Sequence, residues 1–97
     1  MAKGYWITFY RSVSNPAALS AYGRLAVPAI QAGGGRFLVR GTPARAYEEG
    51  LSERTTVIEF DSLAQAIATY EGAAYQAAVR VLRGSVERDI RFLEGVA

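Results

Sequence analysis

Arg36 and Glu59 are the residues whose types and placing best suit proton chemistry in this chain. They sit in two alternating runs, Arg36-Phe37-Leu38-Val39-Arg40 and Thr55-Thr56-Val57-Ile58-Glu59-Phe60. In extended backbone every second side chain shares a face, so Arg36, Leu38 and Arg40 align on one side of their strand and Thr55, Val57 and Glu59 on the same side of theirs. Antiparallel pairing with Leu38 opposite Val57 sets Arg36 against Glu59 and Arg40 against Thr55. A carboxylate oriented by a guanidinium can take a substrate proton or hold a polar ligand. That makes Glu59, assisted by Arg36, the catalytic candidate. The plainer reading, a cross-strand ion pair of roughly 0.2–1 kcal/mol, is the favoured one of the two.

Other chemical signals are weaker. Tyr22, Tyr70 and Tyr75 fall at helical core spacing, where they present hydroxyls to a cavity between helices and sheet or pack with the hydroxyl on a neighbour. Gly33, Gly34 and Gly35 follow a helix and precede a strand, the reverse of a phosphate loop, and read as a helix end and turn. Glu48, Glu49 and Glu53 lack the alternating ligand pattern of a calcium loop. No metal site and no cofactor are expected.

Composition narrows the chemistry further. The chain has no Cys and no His, which removes thiolate nucleophiles, disulfides and the commonest metal ligand. Its 97 residues, 51% hydrophobic, suffice for one domain with one core, residues 1–97 as a unit. Eleven basic residues against nine acidic ones give a net charge of +2, and they are scattered. No polybasic run points to nucleic acid or an anionic membrane. With no apolar run near the ~20 residues of a membrane span and no leader-like start, the expected location is cytoplasmic.

The elements follow from periodicity. Gly4 to Tyr10 alternates as a strand, and Asn15-Pro16 opens a helix in which Leu19, Tyr22, Ala26 and Ile30 recur. Pro28 predicts a break or bend near Val27. The three glycines reverse the chain into the Arg36–Arg40 strand, Gly41 to Glu53 reads as an exposed loop, and Arg54 to Phe60 is a third strand. Asp61 or Ser62 caps a helix bearing Leu63, Ile67 and Tyr70, Gly72 interrupts it, and Ala73 to Leu82 resumes with Tyr75, Val79 and Leu82 inward. Glu87 to Leu93 alternates and closes the set as a strand. The order βαββαβ predicts an α+β, ferredoxin-like antiparallel sheet with helices on one face.

Parity then assigns the two faces. Tyr5, Ile7, Phe9, Phe37, Val39, Ile58, Phe60, Ile90 and Phe92 are expected under the helices. Trp6, Thr8, Tyr10, Arg36, Leu38, Arg40, Thr55, Val57, Glu59, Asp89, Arg91 and Leu93 are expected on the uncovered side. So apolar a face calls for a partner. A second copy is the simplest one, giving a homodimer through the sheet face, a dimeric α+β barrel.

Several stretches carry a family resemblance: Gly4-Tyr5-Trp6-Ile7, Gly34-Gly35-Arg36-Phe37-Leu38-Val39-Arg40-Gly41, Arg54 with Val57-Ile58-Glu59-Phe60, Tyr75-Gln76 and Leu93-Glu94-Gly95-Val96. Over nearly its whole length the chain resembles the domain-of-unknown-function family numbered 1330. The resemblance implies the dimeric α+β barrel superfamily, whose better-understood members include cofactor-free monooxygenases and muconolactone isomerases, and implies no activity. Arg36, Arg40, Arg54, Glu59 and Tyr75 match the family's recurrent polar positions, so Arg40 and Arg54 join the three tyrosines as ligand-binding candidates. Asn15-Pro16 replaces an acidic Asp-Pro turn, and Gly72-Ala73-Ala74 replaces a Ser-Pro-Glu.

Three functions remain in play. The leading one is a homodimer binding a small organic molecule between sheet and helices, with acid–base chemistry by Glu59. The others are a structural or regulatory dimer without activity and an RNA-binding sheet displaying Trp6 and Tyr10. The last is disfavoured because the third strand lacks that module's glycine and paired aromatics.

Overall fold

Asn15 ends the first strand and starts the first helix: its side chain accepts from the Ala18 amide at 3.2 Å, and Pro16, which has no amide to lose, fills the first helical position. In the computed structural model, which describes residues 2–96, the elements are β1 (Gly4–Val13), α1 (Pro16–Ala32), β2 (Arg36–Gly41), β3 (Thr55–Phe60), α2 (Leu63–Glu71), α3 (Ala73–Leu82) and β4 (Val86–Glu94). The four strands form one antiparallel sheet in the order β2-β3-β1-β4, with all three helices on one face. This is the expected ferredoxin-like fold, and β2 and β4 are its edges.

The helix boundaries follow local chemistry. Ser62, rather than Asp61, caps α2, accepting from the Gln65 amide at 3.2 Å. Gly72, in extended conformation, separates α2 from α3 where an interruption was expected. Gly34 adopts φ +95°, the left-handed turn that a side chain would resist, and sends the chain into β2. The break expected near Val27 does not occur, and α1 runs unbroken through Pro28. Pro28 lies on the exposed side of α1, so the carbonyl of exposed Arg24 loses its helical donor to solvent while buried Ala26 and Ile30 keep both halves on the sheet.

The largest correction concerns β1. Trp6, Thr8 and Tyr10 face the helices, and Tyr5, Ile7 and Phe9 face away, the reverse of the sequence assignment. The register decides it: Trp6 pairs with Ile58 on one side and Phe92 on the other, and a strand cannot turn a side chain away from its directly paired neighbours. Trp6 is 1% exposed, stacks on Phe60 and meets Tyr75 edge-on at 4.7 Å. Gly4 belongs to the same set, because a Cβ there would sit 2.5 Å from the Leu63 backbone at the start of α2.

A second correction concerns β2. Arg36 pairs with Glu59 as expected, but the register slips between Phe37 and Val39. Leu38 is the extra residue of a bulge, so Val39 rather than Leu38 pairs with Val57, and Arg40 pairs with Thr56 rather than Thr55. Thr56 is buried under the helices, so the bulge moves Arg40 from the outer face to the inner one. The outer face therefore presents Tyr5, Ile7, Phe9, Val39, Val57 and Leu93 among its charges, and is more apolar than expected. No helix of the described residues is long and apolar enough to cross a membrane.

Candidate functional site

The bulge and the β1 register together build a cavity of about 580 Å³ between α1 and the inner face of β1, β2 and β3. Apolar walls come from Trp6, Leu19, Ala26, Ile30, Phe37 and Ile58, and polar lining from Thr8, Tyr10, Ser20, Tyr22 and Thr56. Three arginines line it as well: Arg24 from α1, Arg40 from β2, and Arg54 just ahead of β3. Among the described residues no acidic one does. The Arg54 carbonyl accepts from the Tyr10 amide at 2.9 Å, which fixes the loop end against β1, and the Arg40 guanidinium lies 5.3 Å from the centre of the Phe37 ring. Among the described residues neither Arg40 nor Arg54 makes an ion pair.

Three of the five residues expected to bind a ligand, Tyr22, Arg40 and Arg54, line this cavity. Tyr70 and Tyr75 do not. Tyr70 packs edge-on against Trp6 and Phe92 in the core. Tyr75, 1% exposed, reaches Tyr22 with its hydroxyl at 2.7 Å, and burial followed by the neighbouring Tyr22 drives its pKa far above the usual phenol range.

Behind those hydroxyls stands Arg88 of β4, which sequence reasoning did not single out. It donates to Tyr22 Oη at 3.2 Å, to Tyr75 Oη at 3.2 Å and, more loosely, to Tyr10 Oη at 3.5 Å. Its ring-side contacts with Tyr22 and Tyr10 lie at 5.1 and 5.8 Å. Burial also raises the Tyr10 phenol pKa. A signal for Arg88 existed: it shares parity with Ile90 and Phe92, and an arginine on the core face of a strand needs partners there.

Arg36 and Glu59 meet on the opposite, outer face. Arg36 donates through Nε and Nη2 to Glu59 Oε1 at 3.2 and 3.1 Å, and Nη2 also reaches Asp61 Oδ1 at 3.1 Å. The other Glu59 oxygen accepts from the Tyr5 hydroxyl at 2.9 Å. The Glu59 side chain is 19% exposed. The Tyr5 hydrogen bond, and after it the bond from Arg36, holds the Glu59 carboxyl below its usual pKa. Neither Arg36 nor Glu59 lines the cavity.

With this geometry in hand, the relatives can be stated. The family described as a domain of unknown function (DUF1330) matches residues 3–96. The chain belongs to that family. Among solved structures, it is similar to a protein of unknown function from Rhodopseudomonas palustris, with a TM-score of 0.74 at 16% identity over 99% of this chain and 84% of that one. A candidate antibiotic biosynthesis monooxygenase from Nitrosomonas europaea superposes with a TM-score of 0.68 at 16% identity, covering 97% of this chain and 90% of its own. A protein from Thermobifida fusca described as dimeric and ferredoxin-like, of unknown function, gives 0.57 at 13% identity over 95% and 90%. At such identities the likeness carries the fold alone. Comparison with the curated proteins gave no match.

Proposed function

We propose that this member of the family is a homodimer, packed through the outer sheet face, whose cavity binds a small organic carboxylate. The observation that carries the reading is an apolar cavity of ordinary ligand size lined, among the described residues, by three arginines and by no acid. Arg40 and Arg54 are free to receive a carboxylate, for which a guanidinium offers paired donors. The dimer is supported by the apolar outer face and by neighbours described as dimeric.

Acid–base chemistry by Glu59, with Arg36 assisting, is the less favoured role for that pair. Glu59 lies across the sheet from the cavity, and its Tyr5 and Arg36 partners lower its basicity. An ion pair that fastens edge strand β2 to β3 accounts for the same contacts. The RNA reading rested on Trp6 and Tyr10, and both are buried under the helices.

Trp6 is the only tryptophan and lines the cavity, so its fluorescence reports occupancy. Titration with 2-naphthoate should quench Trp6 and raise the melting temperature, and saturation at 100 times the dissociation constant should stabilise the fold by about 2.7 kcal/mol. Arg40→Ala combined with Arg54→Ala should weaken binding tenfold or more. Absence of quenching and of melting shifts across a panel of aromatic and aliphatic carboxylates would leave the structural or regulatory dimer as the better account.

A further inference from the structure

The hydroxyls around Arg88 can be counted proton by proton. Arg88 offers only donors, and Tyr10, Tyr22 and Tyr75 each carry one proton and two acceptor sites. Tyr75 accepts from Arg88, and its hydroxyl is buried, so its own proton must find an acceptor. Tyr22 Oη at 2.7 Å is the acceptor present. Tyr22 thus accepts twice, from Arg88 and from Tyr75, and its proton is left over. Tyr10 accepts from Arg88, and its proton has no acceptor among the hydrogen bonds of the described residues. The two residues with spare protons are the two tyrosines that line the cavity.

Charge points the same way. Arg88 forms no ion pair among the described residues, although it is half-buried. A guanidinium kept from water without a counter-ion is costly, and an anion brought near it recovers part of that cost.

We propose that Tyr10 and Tyr22, polarised by Arg88, form a donor hole in the cavity wall that hydrogen-bonds a second oxygen of the bound molecule, a carbonyl, enolate or phenolate. This rests on the cavity reading above and narrows it. The ligand is then an apolar organic acid carrying a further acceptor oxygen, its carboxylate met by Arg40 or Arg54. Donors aimed at an oxygen stabilise the anion more than the neutral form, so the site lowers the pKa of a bound phenol or enol. The proton released goes to solvent, since no carboxylate of the described residues lines the cavity. Arg88 acts through the two phenols and is a positioning residue.

The test pairs 2-naphthoate with 6-hydroxy-2-naphthoate, whose phenol absorbs differently once ionised. In the wild-type protein the bound hydroxyl probe should ionise at least tenfold more readily than the free probe, a fall of about one pKa unit read from its spectrum against pH. Tyr10→Phe combined with Tyr22→Phe should abolish that shift while 2-naphthoate still binds. Arg88→Lys should keep part of the shift, and Arg88→Met should remove it. If 2-naphthoate binds and the hydroxyl probe titrates as it does free in solution, the donor hole is wrong and the cavity reading stands. A shift that survives in the double phenylalanine variant equally overturns it. If neither probe binds, the cavity reading fails and the donor hole with it. The wild-type titration alone decides the first point, so a variant that does not fold leaves the conclusion intact.

Discussion

Arg36 and Arg88 occupy opposite edge strands and opposite faces of one sheet, and their surroundings differ in kind. Arg36 is half-exposed and meets two carboxylates, Glu59 and Asp61, with Lys3 adding a third-party contact to Asp61 at 3.5 Å. Arg88 is half-buried and, among the described residues, meets three phenols and no carboxylate. The outer cluster is complete in itself: each charge has its opposite, and nothing is left to recruit. The inner cluster keeps a net positive charge and two unspent donors. This contrast supports the proposed reading, in which the outer face holds structure together and the inner face holds a ligand, even though the outer face has the more conventional pair of catalytic side chains.

Strand β1 touches both faces, so substitutions along it separate them. Trp6→Ala should cost the protomer about 3–5 kcal/mol, because it removes the largest side chain in the core and leaves a cavity between Phe60, Tyr75 and Phe92. That is a large share of the ~5–15 kcal/mol available to a domain of this size, and urea unfolding would read it. Ile7→Asp, one position on, should leave the isolated protomer folded and instead split the proposed dimer. An unpaired charge confined in an interface costs about 3–5 kcal/mol, which corresponds to at least a hundredfold in dissociation constant by sedimentation. If Ile7→Asp sediments as the wild type does, the outer face is not the interface.

A smaller effect tests the inner face without emptying it. Thr8 Oγ1 accepts from the Trp6 indole nitrogen at 3.2 Å, and both residues are buried. Thr8→Val keeps the volume and removes the acceptor, so it should cost about 1–3 kcal/mol in urea unfolding. A neutral result would mean that the Trp6 indole finds another acceptor, such as water within the cavity it lines, and near-ultraviolet circular dichroism would then show a changed Trp6 environment.

Element order, turns and caps were legible because each rests on local chemistry: Asn15-Pro16 at the start of α1, the glycine turn before β2, Gly72 between the last two helices. The facing of β1 was not. Both of its parities are apolar or aromatic, so alternation supplies no polar side to exclude, and only the pairing of Trp6 with Ile58 and Phe92 resolves it. The Arg36–Glu59 pair was legible because it precedes the bulge. Arg40 lies beyond the bulge, where one extra residue inverts every later side chain, and nothing in Phe37-Leu38-Val39 marks the slip. The cavity residues Tyr22, Arg40 and Arg54 were named singly, but their meeting depends on that slip. Arg88 was not legible because Ile90 and Phe92, which share its face, read as packing residues and mask the charge beside them.

Acid offers the mildest way to tell the clusters apart. The Tyr5 hydrogen bond and then Arg36 lower the Glu59 pKa in the folded chain from its ordinary 4.5, and Arg36 lowers that of Asp61 from 3.8. A carboxyl with a depressed folded pKa contributes stability above its unfolded value and loses that contribution as pH falls through the folded value. The outer cluster should therefore weaken as pH drops below about 4.5, the ordinary carboxyl value. Tyr10, Tyr75 and Arg88 are all shifted upward, away from that range, so the inner cluster should be indifferent to it. Urea midpoints followed from neutral pH into acid should fall less steeply in Glu59→Gln and in Tyr5→Phe than in the wild type. Tyr22→Phe, which alters only the inner cluster, should keep the wild-type slope, and a flattened slope there would show that the two faces are coupled through the sheet rather than independent.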